Sequence, residues 1–225
     1  MPVPSSATSS YPPLNLQVHT PRLTLAGASD ELLERLVPVV RKGVAVSEPW
    51  PFDDPMSLYR ESPEREWAWL RGIWAGRARV SEDFWRLYFV VVVDGEPVGM
   101  QDLIGLKFTT FGTVGTFSWL DPEVRGRGLG KEIRQAVLHL AFEGFEAREA
   151  SSEAFHDNLA SNRVSESLGY EPNGATWDTR RGEAAAMNRW RLTRERWAAT
   201  RRDDIELIGV AGCRPVLGIG VGFGS

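Results

Sequence analysis

The spacing of apolar residues along the chain switches between strand-like and helical periods. Residues 86–93 (RLYFVVVV) form a continuous apolar run, which predicts a strand covered on both faces. Asp94-Gly95 is a hairpin signal, and residues 96–106 read as the returning partner. Residues 112–120 are the next strand. Upstream, residues 18–25 (VHTPRLTL) read as a first strand that Pro21 marks as an edge. Asp30 is the expected cap of a helix carrying Leu32, Leu33, Leu36, Val39 and Val40 at helical spacing. Residues 64–76 predict a second helix with Trp67, Leu70, Ile73 and Trp74 on one face; between the two helices lies a loop with Pro49, Pro51 and Pro55. Downstream, Leu129, Ile133, Val137, Leu140 and Ala141 mark a long helix, and residues 148–155 a short strand. Asp157 or Asn158 should cap a further helix with Ala160, Val164 and Leu168 on its buried face, ended by Gly169. Residues 170–178 and 184–192 predict a strand pair, and residues 193–200 a short helix capped by Thr193. The order β–α–α–β–β–β–α–β–α–β–β implies an α/β (α+β) fold, helices packed on a mixed central sheet.

Composition bounds this picture. At 225 residues and 42% hydrophobic, the chain suits one sizeable core. Residues 1–13, rich in Pro and Ser, are expected to be a disordered tail; residues 14–200 a single domain; residues 201–225 an extension with one edge strand near 205–210. The glycines of that extension, Gly218, Gly220, Gly222 and Gly224, read as flexible. A net charge of −4 offers no general basic surface for nucleic acid. The one cysteine, Cys213, excludes an internal disulfide and suits a cytoplasmic setting. No apolar run has membrane-spanning length, and residues 1–10 lack the regions of a signal peptide. Nine tryptophans, most of them before residue 100, are either core or the walls of an aromatic pocket.

The candidate chemistry lies in residues 118–131, SWLDPEVRGRGLGK. A strand stops at Asp121-Pro122, since proline cannot donate to a ladder. Gly126, Gly128 and Gly130 then alternate with Arg125, Arg127 and Lys131, and a helix follows at once. Glycines admit close backbone approach, and the first N–H groups of a helix have no internal partner, so the turn is an anion site for a phosphate or pyrophosphate. A Walker A loop fails because Glu132 follows Gly130-Lys131, and a Rossmann fingerprint fails on spacing and position. What fits is [QR]-x-x-G-x-[GA], from Arg125 through Leu129 to Gly130.

That pattern resembles the coenzyme A pyrophosphate loop of the GNAT family of acyl-CoA-dependent N-acyltransferases. Residues 157–170 (DNLASNRVSESLGY) are similar to the family's second motif, N-x-x-S followed by x-L-G-[FY]. The resemblance covers roughly residues 18–198. It is nearest to the RimJ/RimL-type branch, where Pro21-Arg22-Leu23 and Arg191-Leu192-Thr193 also recur. Pro49-Trp50, Val93-Asp94-Gly95, Ser118-Trp119-Leu120, the helix from Ala136 to Phe142, Asp157-Asn158, Ala160-Ser161 and Cys213-Arg214-Pro215 resemble an actinobacterial subgroup that includes a mycobacterial enzyme using succinyl-CoA.

The resemblance implies direct attack of an amine on the thioester of a bound acetyl- or succinyl-CoA, with no metal. It implies a phosphate cradle from Arg125 to Lys131 and a backbone N–H near Trp119 or Leu120 for the developing oxyanion. Ser161 takes the place of the general acid, and Asn158 that of a pantetheine contact. For the base, Glu153 comes first, with Asp102 and His156 as alternatives. His139 is given no role, and Cys213 reads as packed or free. A succinyl group would need a cation near the acyl end; Arg163, Lys107 and Arg180 are candidates that sequence cannot place. Trp50, Phe52 and Trp85 are expected to wall the acceptor site, with Trp67 and Trp74 more in keeping with core. The expected partner is an amine-bearing small molecule or protein, with no nucleic acid or membrane, and a homodimer through exposed strand edges is expected. The competing reading is a CoA-binding regulatory or interaction module without turnover. A nucleotide-binding protein is disfavoured by the failed Walker and Rossmann patterns.

Overall fold

A computed structural model describes residues 9–43, 49–52 and 58–220. Nine strands form one sheet in the order β7-β8-β6-β5-β4-β3-β2-β1-β9. Strands β1 (Gln17–His19) and β2 (Thr24–Gly27) pair antiparallel. The single first strand expected over 18–25 is therefore two, and Pro21 sits in the turn between them rather than on an edge. Helix α1 (Asp30–Lys42) follows, capped by Ser29, whose Oγ accepts from the Leu32 N–H at 3.3 Å; Asp30 is the first helical residue, one position past the cap. Helix α2 (Glu64–Ala78) buries Glu66, Trp69 and Ile73. Trp67 and Trp74 are exposed, so the inward stripe is rotated from the expected one, and Trp74 reaches out to Asp30.

Strand β3 (Phe84–Val93) is buried along most of its length between β2 and β4 (Glu96–Leu106), as its apolar run requires. Asp94 and Gly95 both have positive φ (51° and 85°), the geometry a two-residue hairpin turn demands. A short turn, α3 (Phe108–Phe111), which no periodicity announced, leads to β5 (Thr113–Leu120). Helix α4 (Leu129–His139) continues as a π turn over Leu140–Gly144 and packs across one face of the sheet. Trp85, Leu87, Phe89 and Val91 meet it there, while Tyr88, Val90 and Val92 meet α1 and α2 on the other face.

Strand β6 (Glu149–Phe155) is the only parallel neighbour among the described strands, beside β5. Helix α5 (Leu159–Ser167) buries Asn162 and Ser165, with Leu168 just beyond; Ala160, expected on that face, is exposed. Asn162 is a polar hub, donating to the Phe155 and Asn158 carbonyls and accepting from Trp190 Nε1 at 2.9 Å. Strands β7 (Glu171–Arg180) and β8 (Glu183–Thr193) make a long hairpin, and α6 (Arg194–Ala198) follows. Of the expected tail over 1–13, residues 9–13 are described: Pro12–Asn15 is a 3-10 turn with Pro13 buried. In the expected extension, β9 (Glu206–Ile208) pairs with β1 at the sheet edge. Beyond it, α7 (Val210–Cys213) and the turn Arg214–Leu217 bury Cys213, Leu217 and Ile219 in the α4-side core. Pro55, Gly222 and Gly224 lie outside the described residues.

Candidate active site

The sheet is split where its only parallel pair begins. Strands β5 and β6 pair through Thr113–Gly115 and Glu149–Ser151, and beyond those three positions they diverge. The gap is a cleft of about 900 Å³, walled by residues 115–120 on one side and 151–155 on the other. Its closed end is the fork at Gly115 and Ser151, and its open end lies past Leu120 at the glycine loop.

Strand alternation decides which backbone groups face the gap. Asp121 N–H donates to the Val98 carbonyl on the β4 side (2.8 Å), and the Phe117 carbonyl accepts from Gln101 of β4. The Val114 carbonyl accepts from Ser151 Oγ on the β6 side (3.2 Å). Odd-numbered residues of β5 thus hydrogen-bond toward β4, and Thr116, Ser118 and Leu120 turn their N–H and C=O groups to the cleft. Of the two positions expected near the oxyanion, Leu120 faces the gap. Trp119 turns its N–H to β4 and its ring into the core against α1 and α2.

At the open end, Gly126 (φ 75°) and Gly128 (φ 78°) hold left-handed conformations that favour glycine. No side chain caps α4 at Gly128, so the N–H groups of Leu129, Gly130 and Lys131 are left for a ligand. The loop is braced from the turn between β1 and β2: Arg22 donates to the Arg127 carbonyl (3.1 Å) and to Glu132 (2.6 Å), and Thr20 donates to Glu132 (2.6 Å). Burial pushes the Glu132 carboxyl up, but those hydrogen bonds win and hold it below its ordinary range. The Arg125 guanidinium folds back onto the Leu120 carbonyl (3.2 and 3.1 Å) at the cleft mouth; burial lowers its pKa, with Asp121 opposing. Arg127 and Lys131 are exposed at the rim, donating to the Glu123 and Ser167 carbonyls.

Ser161 and Glu153 both line the cleft. Ser161 is half-buried, its N–H held by Asn158 Oδ1 at 3.2 Å. Glu153 is exposed and paired with Arg189 across β6 and β8 at 3.1 Å. Asn158 also lines the cleft, but its amide donates to the Pro51 carbonyl (2.9 Å), so it fastens the 49–52 segment over the start of α5. Phe52 of that segment enters the cleft and meets Phe117 edge-on, ring centres 5.3 Å apart. Trp50 stacks on Tyr59 at 3.6 Å, with Arg181 over its ring at 4.0 Å, and is not part of the cleft wall.

Trp85 corrects an expectation. It is fully buried between Phe108 and Phe145 under α4, away from the cleft, because its place on β3 points it to the α4 face. Asp102 is also fully buried and lies outside the cleft wall, bonded to Arg86 Nε at 2.8 Å; burial lifts its pKa to about 6 despite that arginine. His156 opens to a separate surface hollow. Of the three cations considered, Arg163 and Lys107 do not line the cleft, and Arg180 is held by Asp157 at 2.9 Å over the Phe155 ring. Burial lowers the His139 pKa and pushes the Cys213 thiol up to about 12, so neither is poised to react.

One residue that lines the cleft carries no motif in the sequence. Arg134 of α4 is buried, and its guanidinium donates to Ser152 Oγ at 3.0 Å. Position 134 is four past Gly130, on the stripe that faces the cleft, and a charge there is the signal that could have found it.

Among the described residues no group of His, Cys, Asp and Glu is arranged to hold a metal, and no helix is long and apolar enough to cross a membrane.

The profile described as Acetyltransferase (GNAT) domain matches residues 22–171. Among solved structures, the chain is similar to RimL, a ribosomal L7/L12 alpha-N-protein acetyltransferase in complex with coenzyme A: 19% identity, TM-score 0.63, covering 77% of this chain and 95% of that one. It is similar to a GCN5-related N-acetyltransferase from Brucella melitensis at 15% identity and TM-score 0.62, covering 81% and 80%. It is also similar to the microcin C7 self-immunity acetyltransferase MccE in complex with acetyl-CoA and AMP, at 11% identity and TM-score 0.63, covering 77% and 93%. At these identities the structures speak for the fold.

Proposed function

The chain belongs to the Acetyltransferase (GNAT) domain family and is an acyl-CoA-dependent N-acyltransferase; from that premise we propose that it moves an acetyl or succinyl group from CoA to a primary amine of a protein or small molecule, by direct attack in a ternary complex. The observation that carries this reading is the split between β5 and β6, where cleft-facing backbone leads straight to an uncapped helix start. A phosphate at the α4 N-terminus and amides along Thr116, Ser118 and Leu120 satisfy both sets of open groups at once.

In the reaction, the amine nitrogen forms a bond to the thioester carbon and the C–S bond breaks. Of the β5 N–H groups aimed into the gap, that of Ser118, two residues inward of Leu120, stabilises the developing oxyanion and leaves the Leu120 position to the pantetheine arm. Ser161, on the far wall, gives the thiolate a proton. A thiol with a pKa of about 8.5 leaves readily, so this acid contributes at the low end of ~10²–10⁴-fold. Glu153, at the solvent edge of the same wall, takes the amine proton through water, its charge held in place by Arg189. Phe52 and Phe117 wall the acceptor side, with Trp50 behind them in the stack on Tyr59. We place this chemistry in residues 14–200, in a reducing cytoplasm that suits the free thiol of Cys213. A homodimer through β7 or β9, the outer strands of the sheet, accompanies the proposal.

The test is thiol release from acetyl-CoA and succinyl-CoA with a panel of amines and peptides. Amine-dependent release, falling about 10²-fold in Ser161→Ala, is expected. Tight CoA binding with no release from either donor would favour the second reading, a CoA-binding module without turnover. The Glu153–Arg189 pairing, which ties up the proposed base, is the observation on that side.

A further inference from the structure

Arg134 is a buried cation without a buried anion. Arginine is almost never fully buried unless paired, yet no carboxylate is paired with Arg134 among the described residues. Its side-chain partners are neutral hydroxyls, that of Ser152 at 3.0 Å and the phenol of Tyr170, and its Nε is buried with no partner. Arg77 and Arg180 also bury an unpartnered Nε, but their guanidinium groups pair with Asp30 and Asp157. Two further buried oxygens belong to this region, and that of Thr116 lacks a partner. Thr116 Oγ1 lines the cleft from β5, and Tyr170 Oη feels the Arg134 charge.

The place of this cluster matters. Ser152 is the first residue of β6 beyond its pairing with β5, so Arg134 sits at the closed end of the cleft. The phosphate cradle is at the open end, past Leu120. Five strand residues separate Leu120 from the fork at Gly115, about 17 Å at about 3.3 Å each. A ligand anchored by phosphates at the mouth therefore presents its opposite, acyl end to Arg134, Thr116 and Ser152.

Resting on the acyl-transfer reading, we propose that Arg134 binds a carboxylate at the far end of the acyl group, so that the donor is the CoA thioester of a dicarboxylic acid rather than of a simple alkyl acid. The carboxylate supplies the missing anion and accepts from the guanidinium, with the Thr116 hydroxyl as a further donor. The transfer then joins the amine nitrogen to the thioester carbon, releases CoA thiol, and leaves an amide whose chain ends in a free carboxylate. Arg134 touches the donor's tail and not the reacting atoms, so it sets specificity.

The test compares succinyl-CoA with butyryl-CoA, which has the same chain length and no charge, and with acetyl-CoA and free CoA. Binding is measured by titration calorimetry on the full chain, wild type and Arg134→Gln, with Arg134→Lys as a variant that keeps the charge. Wild type should bind succinyl-CoA at least tenfold tighter than butyryl-CoA. Arg134→Gln should erase that preference while binding of acetyl-CoA and free CoA stays within twofold, and Arg134→Lys should keep part of it. Equal wild-type affinity for succinyl- and butyryl-CoA overturns the proposal, and needs no variant to fold. So does a loss in Arg134→Gln that falls alike on all four ligands, which would make Arg134 a contact to the pantetheine arm. A succinyl preference without turnover on any amine supports this subsite and counts against acyl transfer; turnover without preference does the reverse.

Discussion

Two arginines lie against opposite faces of the same sheet, and their surroundings differ in one respect. Arg86, on β3, faces α1 and α2 and is bonded to the fully buried Asp102 of β4, with the rings of Tyr88 and Phe117 about its guanidinium at 5.3 and 5.5 Å. Arg134, on α4, is at least as deeply buried and has Ser152 and an unpartnered Nε. The first is an ion pair closed within the fold. The second leaves its charge open toward a cleft. On the proposal made above the ligand supplies the anion that Arg134 lacks, whereas Arg86 already has its own in Asp102. The contrast also explains why Asp102, chemically plausible as a base, is out of play: its carboxylate is fully buried against Arg86 and does not line the cleft.

The comparison breaks most visibly in stability. Arg86→Met strands the Asp102 carboxylate, and removing one partner of a buried pair costs about 3–5 kcal/mol. Arg134→Met strands no protein anion and places an apolar chain beside Ile133, so its unfolding free energy should stay within about 1 kcal/mol of wild type. Urea unfolding of both variants at pH 8, without ligand, checks this. If Arg134→Met proves as costly as Arg86→Met, the two arginines are alike and the argument for a ligand anion is lost.

The second effect concerns pH. Asp102 titrates at about 6 in the folded protein against an ordinary value of 3.8. The folded state therefore holds the proton more tightly. Its contribution to stability is fully present below about pH 4 and is lost as pH rises through 6. At about 1.4 kcal/mol per unit the whole swing is about 3 kcal/mol. Asp102→Asn should flatten that part of the stability profile. An unchanged slope between pH 4 and 7 in Asp102→Asn would show that the carboxylate is not the group responsible.

A middle-sized effect belongs to the open end of the cleft, whose glycine loop is plain in the sequence. Gly128 sits at φ 78°, and a Cβ there would meet only Arg22 at an ordinary 3.7 Å. The cost of Gly128→Val is thus backbone strain, about 1–3 kcal/mol. If the loop relaxes to relieve it, free CoA binding falls by roughly 5- to 150-fold. Titration with CoA reads this directly, and an unchanged affinity would remove the loop from the binding site. This end could be read from the amino acids because its function is carried by backbone: a strand stop, glycines and a helix start are all local, and they occupy consecutive positions. The element order was legible for the same reason, since periods of 2 and 3.6 are local. What escaped was orientation. Trp67 and Trp74 fit a helical stripe, but no neighbour among the described residues buries them, and Glu66 and Trp69 take the inward places. Trp85 has the composition of a pocket wall, but its parity on β3 places it under α4. Arg134 escaped because burial of a charge depends on where β6 passes, some twenty residues later in the chain. Side-chain sites draw on several elements, and no spacing rule joins them.

The smallest expected effect probes the closed end at a neighbour of Arg134. Thr116 and valine have nearly the same shape, and Thr116 Oγ1 is buried without a partner. Removing an unsatisfied hydroxyl is neutral or slightly favourable, so Thr116→Val should unfold at the same denaturant concentration as wild type, or gain about 1 kcal/mol. Its effect on a ligand depends on what occupies the site. If an acyl carboxylate sits against Arg134, the lost donor weakens succinyl-CoA by about 1 kcal/mol, roughly five- to sixfold, and leaves butyryl-CoA alone. If only an alkyl group reaches the fork, the added methyl favours butyryl-CoA and the order reverses. The variant changes no charge and no backbone angle, so a shift in the succinyl-to-butyryl ratio reports on the acyl end alone. The sign of that shift separates a site built for an anion from one in which Arg134 is buried to no chemical purpose.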